Sequence, residues 1–145
     1  MTNKTGQTQL GRVVVGIDGS QCSTAALEWA ASYAQAIGTT VRALAVWRNP
    51  SSIEFDVGGG VWNRSGACRK TAEGQIASVG TRHPGLEIDL EVICGVAAQV
   101  LVDASEDAAL LVVGTRGHGG FADLMLGSTS THCVHAAHCP VVVYR

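Results

Sequence analysis

Five short apolar runs, separated by stretches with helical spacing, limit what this chain can fold into more than any other feature. The runs are Arg12 to Asp18 (RVVVGID), Val41 to Trp47 (VRALAVW), Leu86 to Ile93 (LEIDLEVI), Leu110 to Gly114 (LLVVG) and Val141 to Tyr144 (VVVY). The first intervening stretch, Ser23 to Ile37, sets Leu27, Ala30, Ala31, Ala34 and Ile37 on one narrow stripe. Ser20 or Ser23 suits its start and Gly38 its left-handed stop. Ala67 to Thr81 carries Cys68, Ala72, Ile76 and Val79 on one side, with Gly74 weakening it. Ala97 to Glu106 turns Ala97, Leu101 and Ala104 inward, and Ser128 to Ala137 forms a fourth helix. Strands joined through helices run parallel, with right-handed crossovers. The expectation is an α/β chain: one open, doubly wound, five-stranded parallel sheet with helices on both faces, Rossmann-like.

The runs also differ in pattern. LLVVG is continuously apolar, as a central strand must be. LEIDLEVI alternates apolar with acidic residues, which suits a half-exposed edge. The winding then leaves VVVY at the opposite edge, giving the order 3-2-1-4-5. In such sheets ligands bind at the carboxyl ends of the strands, where the winding reverses.

At 145 residues the chain is one domain's worth, and 46% apolar with 15% charged residues excludes disorder. The net charge is −2, and no basic cluster exceeds Arg69-Lys70. That argues against nucleic acid and against an anionic membrane as partner. No apolar run approaches the ~18 residues of a membrane span. The five cysteines are scattered, with no C-x-x-C pair, and Met1 to Gly11 is polar. Reduced thiols and the lack of a leader predict a cytoplasmic protein. Residues 1–11 are expected to be a flexible tail and residues 12–145 the domain. Asn49 to Gly66, with Pro50 and Gly58-Gly59-Gly60, reads as a long mobile loop.

The stretch richest in chemistry is Gly114-Thr115-Arg116-Gly117-His118-Gly119-Gly120, followed after Phe121 to Leu126 by Gly127-Ser128-Thr129-Ser130. Its spacing is G-x-x-G, nine residues, G-S. The glycines begin where a buried strand ends, and glycine lets backbone N–H groups approach a phosphate. Gly127-Ser128 opens a helix whose first N–H groups and dipole favour an anion, with three hydroxyls beside them. Two anion sites, one at each end, suit a polyphosphate. The plainer alternative is tight turns with Ser128 as a helix cap. The loop is not a Walker A motif, and no G-x-G-x-x-G follows the first strand, which argues against a Rossmann dinucleotide site.

In these residues the chain resembles the universal stress protein family, specifically its ATP-binding branch. The resemblance runs from Arg12 to Arg145 and is carried by VVVGIDGS, CGVAAQVLVDAS, LLVVGTRGHGGFADLMLGSTS and CPVVVYR. It implies ATP, with or without Mg²⁺, as the adenine nucleotide bound. Asp18 would face the ribose or a metal, and Val46 would offer main-chain groups to the adenine edge. Gly114 and Gly117 would border ribose and phosphates, while Gly127, Ser128, Thr129 and Ser130 would hold the phosphates. It also implies a homodimer through Val141, Val142, Val143 and Tyr144, an edge strand without inward charge. The chain departs from common family forms at Ala45, where many members carry His, and at Val96-Ala97, which lacks a frequent Pro.

Other candidates carry weaker signals. Asp18 in Asp-Gly-Ser also suits a simple turn. His132, Cys133, His135 and Cys139 resemble a metal cluster, but Cys133 and His135 point apart on a helix and Cys139 falls beyond its end. Arg116 and His118 are placed either for a phosphate or for solvent. Trp47 and Trp62 flank the expected loop, and either one could cover a base. No nucleophile–base pair and no base beside a γ-phosphate is evident. The expected function is a nucleotide-binding stress-response regulator. A slow Mg²⁺-dependent ATPase and a ligand-free partner-binding protein are the alternatives.

Overall fold

Val13–Ile17 forms β1, and Val13, Val14 and Val15 are all within 1% of complete burial. A strand closed to water on both faces needs cover on both, and the rest of the chain supplies it. The structure is a computed structural model that describes residues 11–49, 60–116 and 126–145. Residues 1–10 of the expected tail, residues 50–59 of the expected loop, Gly117 and His118 lie outside the described residues, as does the side chain of Trp62.

The elements alternate as expected: β1, α1 (Gln21–Ile37), β2 (Val41–Trp47), α2 (Gly60–Gly80), β3 (Ile88–Cys94), α3 (Ala97–Ala104), β4 (Leu110–Gly114), α4 (Ser128–Ala136) and β5 (Val141–Tyr144). A 3-10 turn, Ser105–Asp107, follows α3. Among the described residues all pairings are parallel, and the sheet order is β3-β2-β1-β4-β5. Alternate residues of each strand face opposite layers. Val13, Val15, Val41, Ala43, Leu110 and Val112 pack against α1 and α2, while Val14, Leu44, Leu111 and Val113 pack with Leu101 of α3 and Cys133 of α4. On the second face, beside β3, Arg42 grips Glu91 through two bonds of 2.6 and 3.0 Å, and Arg12 bonds Asp89 at 2.9 Å. The acidic residues of the alternating strand are thus neutralised across the sheet. Among the described residues, no helix is long and apolar enough to cross a membrane.

Several boundaries differ from the sequence reading, most by one or two residues, and two of them have a clear physical cause. Residues 60–66, expected within the loop, are helical and belong to α2. Glycine disfavours a helix by about 1 kcal/mol relative to alanine. Extending a helix already anchored by packing is far easier than nucleating one, so the turns at Gly60 and Gly66 form despite that. β3 begins at Ile88 rather than Leu86, because Gly85 at φ 81° closes a turn in which Leu86 N–H donates to the His83 carbonyl at 3.2 Å.

Cys133 gives a test of the α4 layer. It is completely buried, and burial pushes its thiol from an ordinary 9.0 up to about 11. Its contribution to stability is therefore full below pH 9.0 and is lost as pH rises through about 11, because the unfolded chain ionises first. In the native protein at neutral pH, alkylation followed by peptide mass spectrometry is expected to modify exposed Cys94 and to spare Cys133 until the chain unfolds. Equal labelling of the two would refute this packing.

Candidate functional site: a cleft at the winding reversal

α1 and α2 cover one face of the sheet and α3 and α4 the other, so the connections leaving β1 and β4 diverge. A cleft of about 980 Å³ opens between the carboxyl ends of these strands. This is where the winding reversal places ligand sites in open α/β sheets. Asp18, Val46, Gly114, Gly127, Ser128, Thr129 and Ser130 all line it, joined by Arg116 and, half-buried, Trp47. The structure thus brings together every site residue expected from the sequence within the described residues.

The β1 side is a tightly bonded turn. Asp18 Oδ1 accepts from the backbone N–H of Ser20 at 2.9 Å and from its hydroxyl at 2.5 Å. Gly19 sits at φ 85°, a left-handed conformation that glycine adopts without strain. Ser20 is the N-cap of α1, and its Oγ accepts from Ser23 N–H at 3.2 Å. The turn reading of Asp-Gly-Ser is therefore realised, and it holds the Asp18 carboxylate at the lip of the cleft.

The carbonyl of Thr40, just before β2, accepts from β1, and that of Trp47 at its end accepts from Gly95 on the β3 side at 2.9 Å. Strand alternation then directs the main chain of Val46 towards the β1 side. The last β1 partner there is Ile17, opposite Ala45, so the Val46 carbonyl reaches past the end of β1 into the cleft.

The glycines at the other side do structural work. A Cβ on Gly114 would lie 3.1 Å from both the backbone carbon and the Cβ of Cys22, so a larger residue would push the first turn of α1 away from the end of β4 by a few tenths of an ångström. Gly127 is the N-cap of α4, and its N–H donates to the Thr115 carbonyl at 2.8 Å. Ser130, 3% exposed, turns its hydroxyl back onto the carbonyls of Thr115 and Gly127 at 3.2 and 3.0 Å. Its hydroxyl closes the start of α4 instead of joining the donors the sequence reading counted. No side chain caps α4 among the described residues. The first intrahelical bond reaches Gly127 from Thr131 at 3.0 Å, so the N–H groups of Ser128, Thr129 and Ser130 lie outside the helical ladder. They and the helix dipole make this wall of the cleft attractive to an anion.

α2 forms the outer wall with Ala67, Cys68, Thr71, Ala72 and Gln75. Burial pushes the Cys68 thiol up, and the Arg69 charge opposes that shift. Gln75 escaped the sequence reading. It falls between Ala72 and Val79 on the inward stripe of α2, and a polar residue at a core position is the signal that could have found it. The His/Cys segment of α4 does not converge: His132 and His135 are exposed, Cys133 is buried, and no metal-ligating group of three exists among the described residues.

Residues 10–145 match the family model described as the universal stress protein family. A universal stress protein of Mycobacterium tuberculosis is 34% identical over 142 residues, covering 97% of this chain and 50% of the relative. The chain spans about half the length of the curated relatives it matches. Among solved structures, the universal stress protein UspA from Lactobacillus plantarum superposes with a TM-score of 0.80 at 21% identity, covering 96% of this chain and 100% of its own. A universal stress protein from Archaeoglobus fulgidus, solved in complex with dAMP, gives 0.70 at 19%, covering 95% and 100%. These two likenesses are likenesses of fold. The family model and the sequence relative together place this chain in the universal stress protein family.

Proposed function

We propose that this chain is an adenine-nucleotide-binding regulator of the stress response, acting in the cytoplasm, with ATP as its ligand. One observation carries the reading: the Asp18 carboxylate and the open N–H groups at the start of α4 face the same cleft. A nucleotide has a ribose diol for the first and phosphates for the second. Val46 then presents its carbonyl to the exocyclic amine of adenine, and Gly114 borders the ribose and phosphates, the role the family resemblance also gives Gly117 outside the described residues. Gly127 shapes the phosphate end, and Ser128, Thr129 and Ser130 supply backbone N–H groups to it. A similarly folded relative solved with dAMP supports an adenine nucleotide here. Asp18 is the one carboxylate lining the cleft among the described residues. That suits a Mg²⁺ held mainly by phosphates and water, with one protein oxygen. The five free cysteines support a reducing compartment.

The test is calorimetric titration of the purified chain with ATP, with and without Mg²⁺. Asp18→Ala is expected to weaken binding by roughly 1–3 kcal/mol, the range for a hydrogen bond to a charged group. A wild-type chain that takes up no adenine nucleotide would sink the reading. So would an Asp18 variant that loses thermal stability and keeps full affinity, since that assigns the carboxylate to the turn alone. Phosphate release that requires Asp18 would make the chain an ATPase instead.

We further propose a homodimer through Val141, Val142, Val143 and Tyr144. All four are half-exposed, and among the described residues β5 pairs only with β4. The carbonyls of Pro140 and Tyr144 accept from β4, so alternation turns the N–H groups of Val141 and Val143 outward. Val143→Pro removes an outward donor while sparing the β4 ladder. Light scattering is expected to find dimer for the wild type and monomer for this variant. A monomeric wild type at tens of micromolar, or a dimeric Pro variant, would refute the edge-to-edge pairing.

A further inference from the structure

Gln75 is 8% exposed, and its side-chain amide reaches from α2 to the β1–α1 turn through four hydrogen bonds. Its Oε1 accepts from Gly19 N–H at 2.9 Å. Its Nε2 donates to Thr24 Oγ1 at 2.6 Å, to Ser23 Oγ at 3.0 Å and, longer, to the Ser20 carbonyl at 3.4 Å. Ser23, 4% exposed, is the junction: its Oγ also accepts from the backbone N–H of Asp18 at 3.2 Å and donates to the Ser20 carbonyl at 3.0 Å. Asp18 is therefore fixed from two directions. Ser23 holds its own N–H, and Gln75 holds the next N–H along the chain.

We infer that Gln75 is a positioning residue: by clamping Gly19 and Ser23 it sets the Asp18 carboxylate for the nucleoside, and so ties the docking of α2 to occupancy of the cleft. This rests on the nucleotide reading above. The turn it clamps contains Gly19, the one left-handed glycine at the site among the described residues, whose flexibility would otherwise let the carboxylate wander. Every polar atom of the clamp is satisfied, since no buried side-chain nitrogen or oxygen among the described residues lacks a partner. Such a network has one low-energy arrangement, as a positioning device requires. The far end of α2 is pinned separately, where Arg82 and His83 reach Glu28 of α1 at 2.6 and 2.7 Å. Loss of the Gln75 bonds therefore releases the cleft end of α2 and leaves the other end anchored.

The experiment is a double-mutant cycle read by calorimetric titration with ATP, using wild type, Gln75→Met, Asp18→Ala and the double variant. Methionine keeps the length of the side chain and removes its hydrogen bonds. Gln75→Met is expected to weaken ATP binding about tenfold, ~1.4 kcal/mol. In the Asp18→Ala background the same change is expected to alter affinity by less than about twofold, because residues acting through one another are not additive. Wild-type affinity in Gln75→Met, or an undiminished loss in the Asp18→Ala background, overturns the inference. Hydrogen exchange reads the clamp without any ligand: the Gly19 amide is expected to exchange at least about tenfold faster in Gln75→Met while the amides of β1 stay protected. If the wild type binds no ATP, the functional reading falls and this measurement still judges the clamp. Unchanged exchange at Gly19 overturns it in either case. Should Gln75→Met fail to fold, Ser23→Ala removes the junction from the other side and is expected to give the same non-additive loss.

Discussion

β1 and β4 lie at the centre of the sheet with both faces closed to water, and most of the architecture follows from keeping them so. Burying a valine contributes roughly 1.5–3 kcal/mol, and Val13, Val14, Val15 and Val112 are each within 1% of complete burial. One layer of helices cannot cover both faces. A parallel sheet places its crossovers on both faces only by reversing its winding, and the reversal falls between β1 and β4. The helices that follow these strands leave in opposite directions, so the space between the strand ends cannot be filled by either. The cleft results from burying the core.

What borders the cleft is set by the same packing. Gly114 suits its place because α1 begins against the end of β4, where a Cβ would press on Cys22 at 3.1 Å. Gly127 and Ser130 are bound to Thr115, the residue following β4, so the start of α4 is tied to the strand's end. That tie aims the open N–H groups of α4 into the cleft. At Gly127 the bonds that satisfy the backbone also orient the spare donors of α4, as the proposed binding role requires.

The sheet and its order were legible in the sequence because side-chain period and burial pattern are direct consequences of strand position. LEIDLEVI could alternate only where one face meets Arg12 and Arg42, and LLVVG could be continuously apolar only in the centre. The positions of Asp18, Val46, Gly114 and Gly127 at one cleft were legible for the same reason, since all four sit at or just past the carboxyl end of a parallel strand or at the helix start beside it. The start of α2 was not legible, because helix extension through Gly60 and Gly66 depends on packing established further along. The inward turn of the Ser130 hydroxyl was hidden as well: a serine near a helix start serves a ligand and a carbonyl equally well. Gln75 was hidden because its partners lie in another element, and only the fold brings them within reach.

The placement of that buried glutamine bears on how such a domain could report what it holds. α2 touches the sheet through β2 and β3 and touches α1 beside the cleft, so it packs on both the floor and one wall. Its inward stripe is apolar at Ala72, Ile76 and Val79, and a fourth apolar residue at position 75 would have packed it more simply. A buried amide gives up that simplicity and makes the fit conditional on the turn's geometry: the four bonds form together only when Gly19, Ser20, Ser23 and Thr24 are all in place. On the proposed reading, a ligand held by Asp18 would stabilise that turn, and by linkage the docked α2 would bind it better. The coupling requires no moving hinge. It requires that the turn and the helix share one hydrogen-bond network, which an apolar contact, indifferent to direction, would not provide.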